Sequence, residues 1–116
     1  QLLPGRVSVI LESSGKLAPN IAGDSVSFRI PLHSLCIKII EEFGKPITTT
    51  SANLSGQEVP TSIDGIIEQL GEGIQLYIDE GELFFDASTV VDLRGEPKIV
   101  REGADIGKVK AVISPV

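Results

Sequence analysis

Two arginines and one hydroxyl-rich stretch carry the chemistry that this chain of 116 residues offers. Arg29 sits inside "SVSFRI", among Val26, Phe28 and Ile30, a setting that predicts burial on at least one face. A guanidinium there seeks a carboxylate or phosphate, which its planar fork fits, or else serves a structural ion pair or a solvated strand face. Arg101, in "KIVREG", poses the same choice at a strand end, with a solvated rim charge as its plainer reading. The stretch "TTTSANLSGQEVPT", Thr48 to Thr61, places hydroxyls and free amide donors between an apolar run and a helix. Such a loop holds an anion, or merely caps its own turns. It is no Walker loop, because G-x-x-x-x-G-K-[ST] does not occur.

Other chemistries find little support. His33 is the only imidazole, and nothing marks it as the base for a serine nucleophile. Ser88 and Thr89 open a strand with hydroxyls that serve a turn. Cys36 falls on an apolar helical stripe and reads as a packed core thiol. One His and one Cys do not build a zinc site of those ligands. Glu41 and Glu42 read as a solvated helix face.

The elements that must position these residues are legible from periodicity. "RVSVILE", Arg6 to Glu12, alternates β-branched and polar residues and reads as a strand entered through Pro4 and Gly5. "SVSFRI" is a second strand, stopped by Pro31. Between Ser34 and Phe43, Leu35, Cys36, Ile39, Ile40 and Phe43 form one helical stripe, with Gly44 placed to end it. "KPIT" is read as a short strand, and Thr61 three residues before Asp64 as an approximate capping box for a helix "IDGIIEQLG". "IQLYID", "STVVDL" and "PKIVRE" read as further strands, and "ADIGKVKAVI" as a closing helix. With no repeat and no linker, one α+β domain over residues 1–116 is the expectation.

Composition narrows the class. A hydrophobic share of 41% and a charged share of 22% are those of a globular chain. No apolar run nears the roughly 20 residues of a membrane span, so the chain reads as soluble. A single cysteine and no secretory leader fit a reducing, cytoplasmic setting. A net charge of −6 argues against a free-standing nucleic-acid binder, and Lys108 with Lys110 is the nearest approach to a basic cluster. With no methionine and Gln1 first, the sequence is expected to have lost its start or to be a piece of a longer protein.

Taken together, "LLPGRVSVIL", "SVSFRIPLH", "KPITTTSANLSGQEVPT" and "STVVDLRGEPKIVREGA" resemble, in order and spacing, the Sua5/YrdC/TsaC family of L-threonylcarbamoyladenylate synthases. The resemblance runs over essentially the whole chain. It implies a twisted, open, mixed or antiparallel sheet with flanking helices around a large positive cavity. It also implies a reaction in which L-threonine, bicarbonate and ATP, with Mg²⁺ accompanying the nucleotide, give threonylcarbamoyl-AMP, pyrophosphate and water. A separate transferase complex then modifies adenosine 37 of tRNA, which is thus a downstream substrate.

By the same resemblance, Arg29 holds the threonine carboxylate, while Thr49 (backbone) and Ser88 (hydroxyl) line the threonine site. Ser51 and Asn53 fall on the nucleotide's phosphates, Ser25 and Val59 at further ATP contacts, and Arg101 at the phosphates. The family's Lys-x-Arg triphosphate motif, and its threonine-site Thr and His, do not precede "PG" here, so weak or no synthesis is expected of this chain alone. "DEG" at Asp79 to Gly81 replaces the usual "DGG", and "FFDA" is an uncommon approach to Ser88. Three alternatives stand beside the synthase: a carbamoyl-AMP-forming domain of hydrogenase-maturation carbamoyltransferases, a non-catalytic nucleotide- or RNA-binding module, and an inert fragment. The first more often carries "SGN" where this chain has "SAN".

Overall fold

The computed structural model describes residues 1–71 and 73–113; residue 72 and residues 114–116 of the expected domain lie outside the described residues. In chain order the elements are β1 (Val7–Glu12), β2 (Ser25–Phe28), α1 (Ser34–Phe43), α2 (Ile63–Leu70), β3 (Thr89–Asp92), β4 (Lys98–Arg101) and α3 (Ile106–Ile113). They divide into two compact units, Gln1–Ile47 together with Asp86–Val116, and Thr48–Phe85.

The first unit is built on a four-stranded sheet of order β2-β1-β3-β4. β1 runs parallel to β3, with Val7 opposite Thr89, whereas β2 and β4 flank the pair antiparallel. This mixed sheet with helices is the α+β class that the strand and helix periodicities predict. The two central strands are rich in β-branched residues, which suit a pleated surface buried on at least one side. Val7 and Val9 of β1 and Val91 of β3 point into a core completed by Leu2 and by Val109 of α3. Each such valine contributes roughly 1.5 kcal/mol or more on leaving water.

Helix α1 spans the predicted residues and closes at Gly44, whose φ of 70° is the left-handed conformation glycine adopts without a Cβ clash. Its start is set by His33, whose Nδ1 accepts a hydrogen bond from the Cys36 amide at 3.4 Å. That capping role is what the lone histidine does in this fold. The apolar stripe of α1 is correct as a pattern, yet none of its residues is buried and Cys36 is exposed. The packed-thiol reading of Cys36 is therefore wrong: periodicity reports which side a helix would bury, not whether another element lies against it.

Other boundaries move for identifiable reasons. β2 ends at Phe28, so Arg29 lies just beyond the strand and is exposed, contrary to the predicted burial. "KPIT" forms no strand; Pro46 lacks a ladder donor, and its run ends where the second unit begins at Thr48. "IQLYID" forms none either, since among the described residues the second unit contains no strand to pair with it. Helix α2 is capped by Ser62, whose hydroxyl accepts from the Gly65 amide, and not by Thr61.

Candidate functional site

Three of the sequence-derived residues meet at Ser88. The chain leaves β2 at Phe28 and stays paired for two more residues, because the Gly5 amide donates to the Ile30 carbonyl at 2.9 Å. This holds Arg29 opposite the start of β1, where its Nε donates to the Gly5 carbonyl at 3.1 Å and its Nη1 to the Ser88 hydroxyl at 2.7 Å. Arg101 closes β4 and turns its fork onto the same residue, with Nε at 3.1 Å and Nη2 at 2.8 Å from the Ser88 carbonyl. Ser88 itself is nearly buried.

The electrostatic consequence is direct. Among the described residues, neither Arg29 nor Arg101 is paired with a carboxylate. Two full positive charges thus flank one neutral serine, in a chain whose net charge is −6. Guanidiniums held only by neutral oxygens keep donors and charge for an anion. Ser88 accepts from both arginines, which leaves its own hydroxyl proton to donate.

The segment after β4 fixes Ser88 from behind. Ala104 donates its amide to the Ala87 carbonyl at 2.8 Å, and the fully buried Thr89 hydroxyl bridges, donating to the Ala104 carbonyl at 2.6 Å and accepting from the Gly103 amide at 3.1 Å. The approach is so close that a Cβ at Gly103 would collide with the Ala87 carbonyl oxygen. Only glycine permits it. Thr89 is a structural hydroxyl, in keeping with the turn-capping reading.

The remaining expected residues lie elsewhere. Ser25 begins β2 opposite Glu12, about 13 Å along the strand from Arg29 at roughly 3.3 Å per residue. Thr49, Ser51, Asn53 and Val59 belong to the second unit, in the loop that precedes α2. There the Asn53 side-chain amide donates to the carbonyls of Leu54 and Gln57, while its Oδ1 is buried with no hydrogen-bond partner among the described residues. Gln69 of α2 spans the loop, accepting from the Leu54 amide at 2.9 Å and donating to the Glu58 carbonyl at 3.0 Å. Thr49, Ser51 and Val59 are exposed.

An open concavity of about 840 Å³ in the first unit contains none of these residues. Glu12, Asp24, Asp92 and Glu96 line it together with Arg94 and Lys98. The Arg94 guanidinium grips both Asp92 oxygens, at 3.0 and 2.7 Å, and this side-chain hydrogen bonding holds the Asp92 carboxyl well below the usual carboxylate range. The Arg94 charge is thus met by the Asp92 carboxylate, unlike those of the arginines at Ser88. No group of three His, Cys, Asp or Glu side chains able to hold a metal ion occurs among the described residues. Nor is any helix among them long and apolar enough to cross a membrane.

Sequence reading missed Gly5, Gln69 and Asp105, whose parts are played through hydrogen bonds to backbone. For Gln69 a polar residue between Ile67 and Leu70 on a short amphipathic helix was the available sign. Gly5 could be read only as a turn residue.

Comparison with known proteins bears on this geometry. The Sua5/YciO/YrdC family, described as telomere recombination, matches residues 1–103. A putative threonylcarbamoyl-AMP synthase of Mycobacterium leprae is 36% identical over 97% of this chain and 53% of its own length. The threonylcarbamoyl-AMP synthase of Pyrococcus abyssi is 33% identical over 97% of the chain and 35% of its own length. Among solved structures, P. abyssi Sua5 complexed with L-threonine superposes with a TM-score of 0.86 at 34% identity, covering 98% of this chain and 35% of that one. E. coli YciO gives 0.79 at 27% identity, covering 87% and 52%. The chain thus spans about half, or less, of the length of these relatives.

Proposed function

The chain belongs to the Sua5/YciO/YrdC family, and on that premise we propose that it forms part of a threonylcarbamoyl-AMP synthase, with Arg29 and Ser88 receiving L-threonine. The observation that carries the reading is the pair of guanidiniums, free of carboxylates, converging on Ser88. An α-carboxylate is a planar, two-oxygen anion, and Arg29 retains unengaged N–H donors with which to meet it edge to edge. The Ser88 hydroxyl proton supplies a further donor. Arg101 offers its charge to an anionic group of the nucleotide.

In this proposal Thr49, through its backbone, completes the threonine contacts, and Ser51, Asn53, Val59 and Ser25 serve ATP. Mg²⁺ enters as the nucleotide's own ion, bound to substrate oxygens. The amino group of threonine forms a C–N bond to the carbon of bicarbonate with release of water, or to CO₂ with release of a proton, and the carbamate oxygen then displaces pyrophosphate at the α-phosphorus. Such chemistry asks the protein to position reactants and to stabilise negative charge. Arginines serve that without an acid–base triad. The tRNA enters later, as the acceptor of the threonylcarbamoyl group.

The test is mass-spectrometric detection of threonylcarbamoyl-AMP after incubation with L-threonine, bicarbonate and Mg-ATP. It is run on this chain and on the protein at the length of its curated relatives. Product from the longer form alone supports the reading and places the remaining machinery outside these residues. Product from neither, with both folded, overturns it and leaves a nucleotide- or RNA-binding module as the better account.

A further inference from the structure

Arg29 is held by a peptide group that is itself held. The Gly5 carbonyl that accepts from Arg29 Nε at 3.1 Å and the Arg6 amide that donates to Asp105 Oδ2 at 3.0 Å belong to one peptide unit. The order in space is carboxylate, peptide N–H, peptide C=O, guanidinium. Hydrogen bonds in such a chain polarise one another, so a negative charge at the N–H end enriches the carbonyl oxygen and strengthens its grip on a cation. The same contact fixes the tilt of the peptide plane, which Gly5 on one side would otherwise leave loose.

Two observations set Asp105 apart from an ordinary ion-pair partner of Arg6. Its guanidinium contact, at 3.4 Å between partly exposed side chains, is of the kind that contributes little, whereas the bond to the amide is shorter. Asp105 also adopts a φ of 60°, the one positive value among the described non-glycine residues. That conformation costs most residues energy and is best borne by Asn or Asp. It turns the carboxylate beneath Gly5, where Oδ2 stands 3.3 Å from the place a Cβ would occupy.

We infer that Asp105 is a positioning residue for Arg29, acting through the Gly5–Arg6 peptide to orient the guanidinium that receives the carboxylate of an amino-acid substrate. The inference rests on the threonine reading above for the ligand, but not for the coupling between Asp105 and Arg29.

The experiment uses Asp105→Gly, which accepts the backbone conformation and removes the acceptor, and Asp105→Asn, which keeps an acceptor and removes the charge. Two readouts are taken: the Arg29 Nε–H resonance and its solvent exchange by NMR, and calorimetric affinities for L-threonine and for ATP. Asp105→Gly is expected to speed Nε–H exchange at least tenfold and to weaken threonine about tenfold, with ATP affinity changed less than twofold. Asp105→Asn is expected to recover most of the threonine affinity.

An Nε–H signal unchanged in Asp105→Gly overturns the inference, as does equal weakening of both ligands, which marks a general structural role. If Asp105→Gly does not fold, Asp105→Asn decides alone: its Nε–H resonance must move upfield, and an unmoved resonance overturns the inference. A parent protein that binds no threonine refutes the functional reading only, while the NMR arm still decides whether Asp105 governs Arg29.

Discussion

Replacing Arg29 with lysine preserves the charge and removes the fork, so it isolates what geometry contributes at this site. In the parent, Nε donates to the Gly5 carbonyl and Nη1 to the Ser88 hydroxyl, while Nη2 makes no bond among the described residues. The Nη1–Nη2 edge can therefore donate to both carboxylate oxygens while the anchors stay in place. A lysine ammonium is a single point and does not hold the Gly5 carbonyl, the Ser88 hydroxyl and two carboxylate oxygens in the same geometry. Losing one charge-assisted hydrogen bond to the ligand costs about 1.5–3 kcal/mol. At about 1.4 kcal/mol per decade, that is roughly a 10- to 100-fold rise in the dissociation constant for L-threonine. Calorimetric titration of parent and Arg29→Lys, with far-UV circular dichroism to establish equal folding, measures it. Binding within threefold of the parent refutes the edge-on reading of Arg29.

Three further perturbations test separate links. Gly103→Ala forces apart the Ala104 and Ala87 backbones and strains the buried Thr89 bridge, and is expected to cost roughly 2–4 kcal/mol. Chemical denaturation checks this against Gly95→Ala, where a Cβ meets nothing within 4 Å, and equal stability of the two variants contradicts it. Asp92 has its folded pKa depressed by Arg94, so its stabilisation is present above the unfolded value near about 4 and is lost as pH falls toward the lower folded value. The gap in melting temperature between parent and Asp92→Asn is therefore expected to narrow between about pH 5 and about pH 2.5; a constant gap speaks against it. Gln69→Ala removes both bonds that span the loop, and hydrogen exchange at the Leu54 amide is expected to accelerate about tenfold or more. An unchanged rate means that the loop is held by Asn53 alone.

How far the sequence foretold this structure depended on whether an element's cue is local. Helix α1 was legible to the residue, because its stripe and its terminal glycine lie within one segment. Strands β1, β3 and β4 were legible within about a residue, since alternation and β-branching mark a strand wherever it pairs. "IQLYID" carried the same marks and failed, because a strand also needs a neighbour, which lies outside its own sequence. The candidate site divides likewise. Arg29 stood out as a guanidinium inside a strand pattern and Arg101 as one at a strand end, while Ser88 was marked only by the family resemblance, and their meeting at one serine depends on β1 lying beside β3. Gly5 acts through its own carbonyl and Asp105 through a carboxylate set on a main-chain amide, and since every residue has such main-chain groups, nothing in the sequence marked these partners.

The parallel pairing of β1 with β3 also bears on how the chain reaches its fold. Val7 finds its partner in Thr89 only after α1, the whole second unit and their connections have been spanned. Closing so long a segment costs entropy before any contact offsets it, and folding slows as the sequence separation of contacts grows. The β1–β3 ladder cannot begin to form during synthesis until residue 89 has emerged. The hairpin of β1 and β2 is available long before, with Val9 opposite Phe28. In that interval the β3-facing side of β1 is an open edge rich in valine and isoleucine, the moment at which this chain is most exposed to pairing with another.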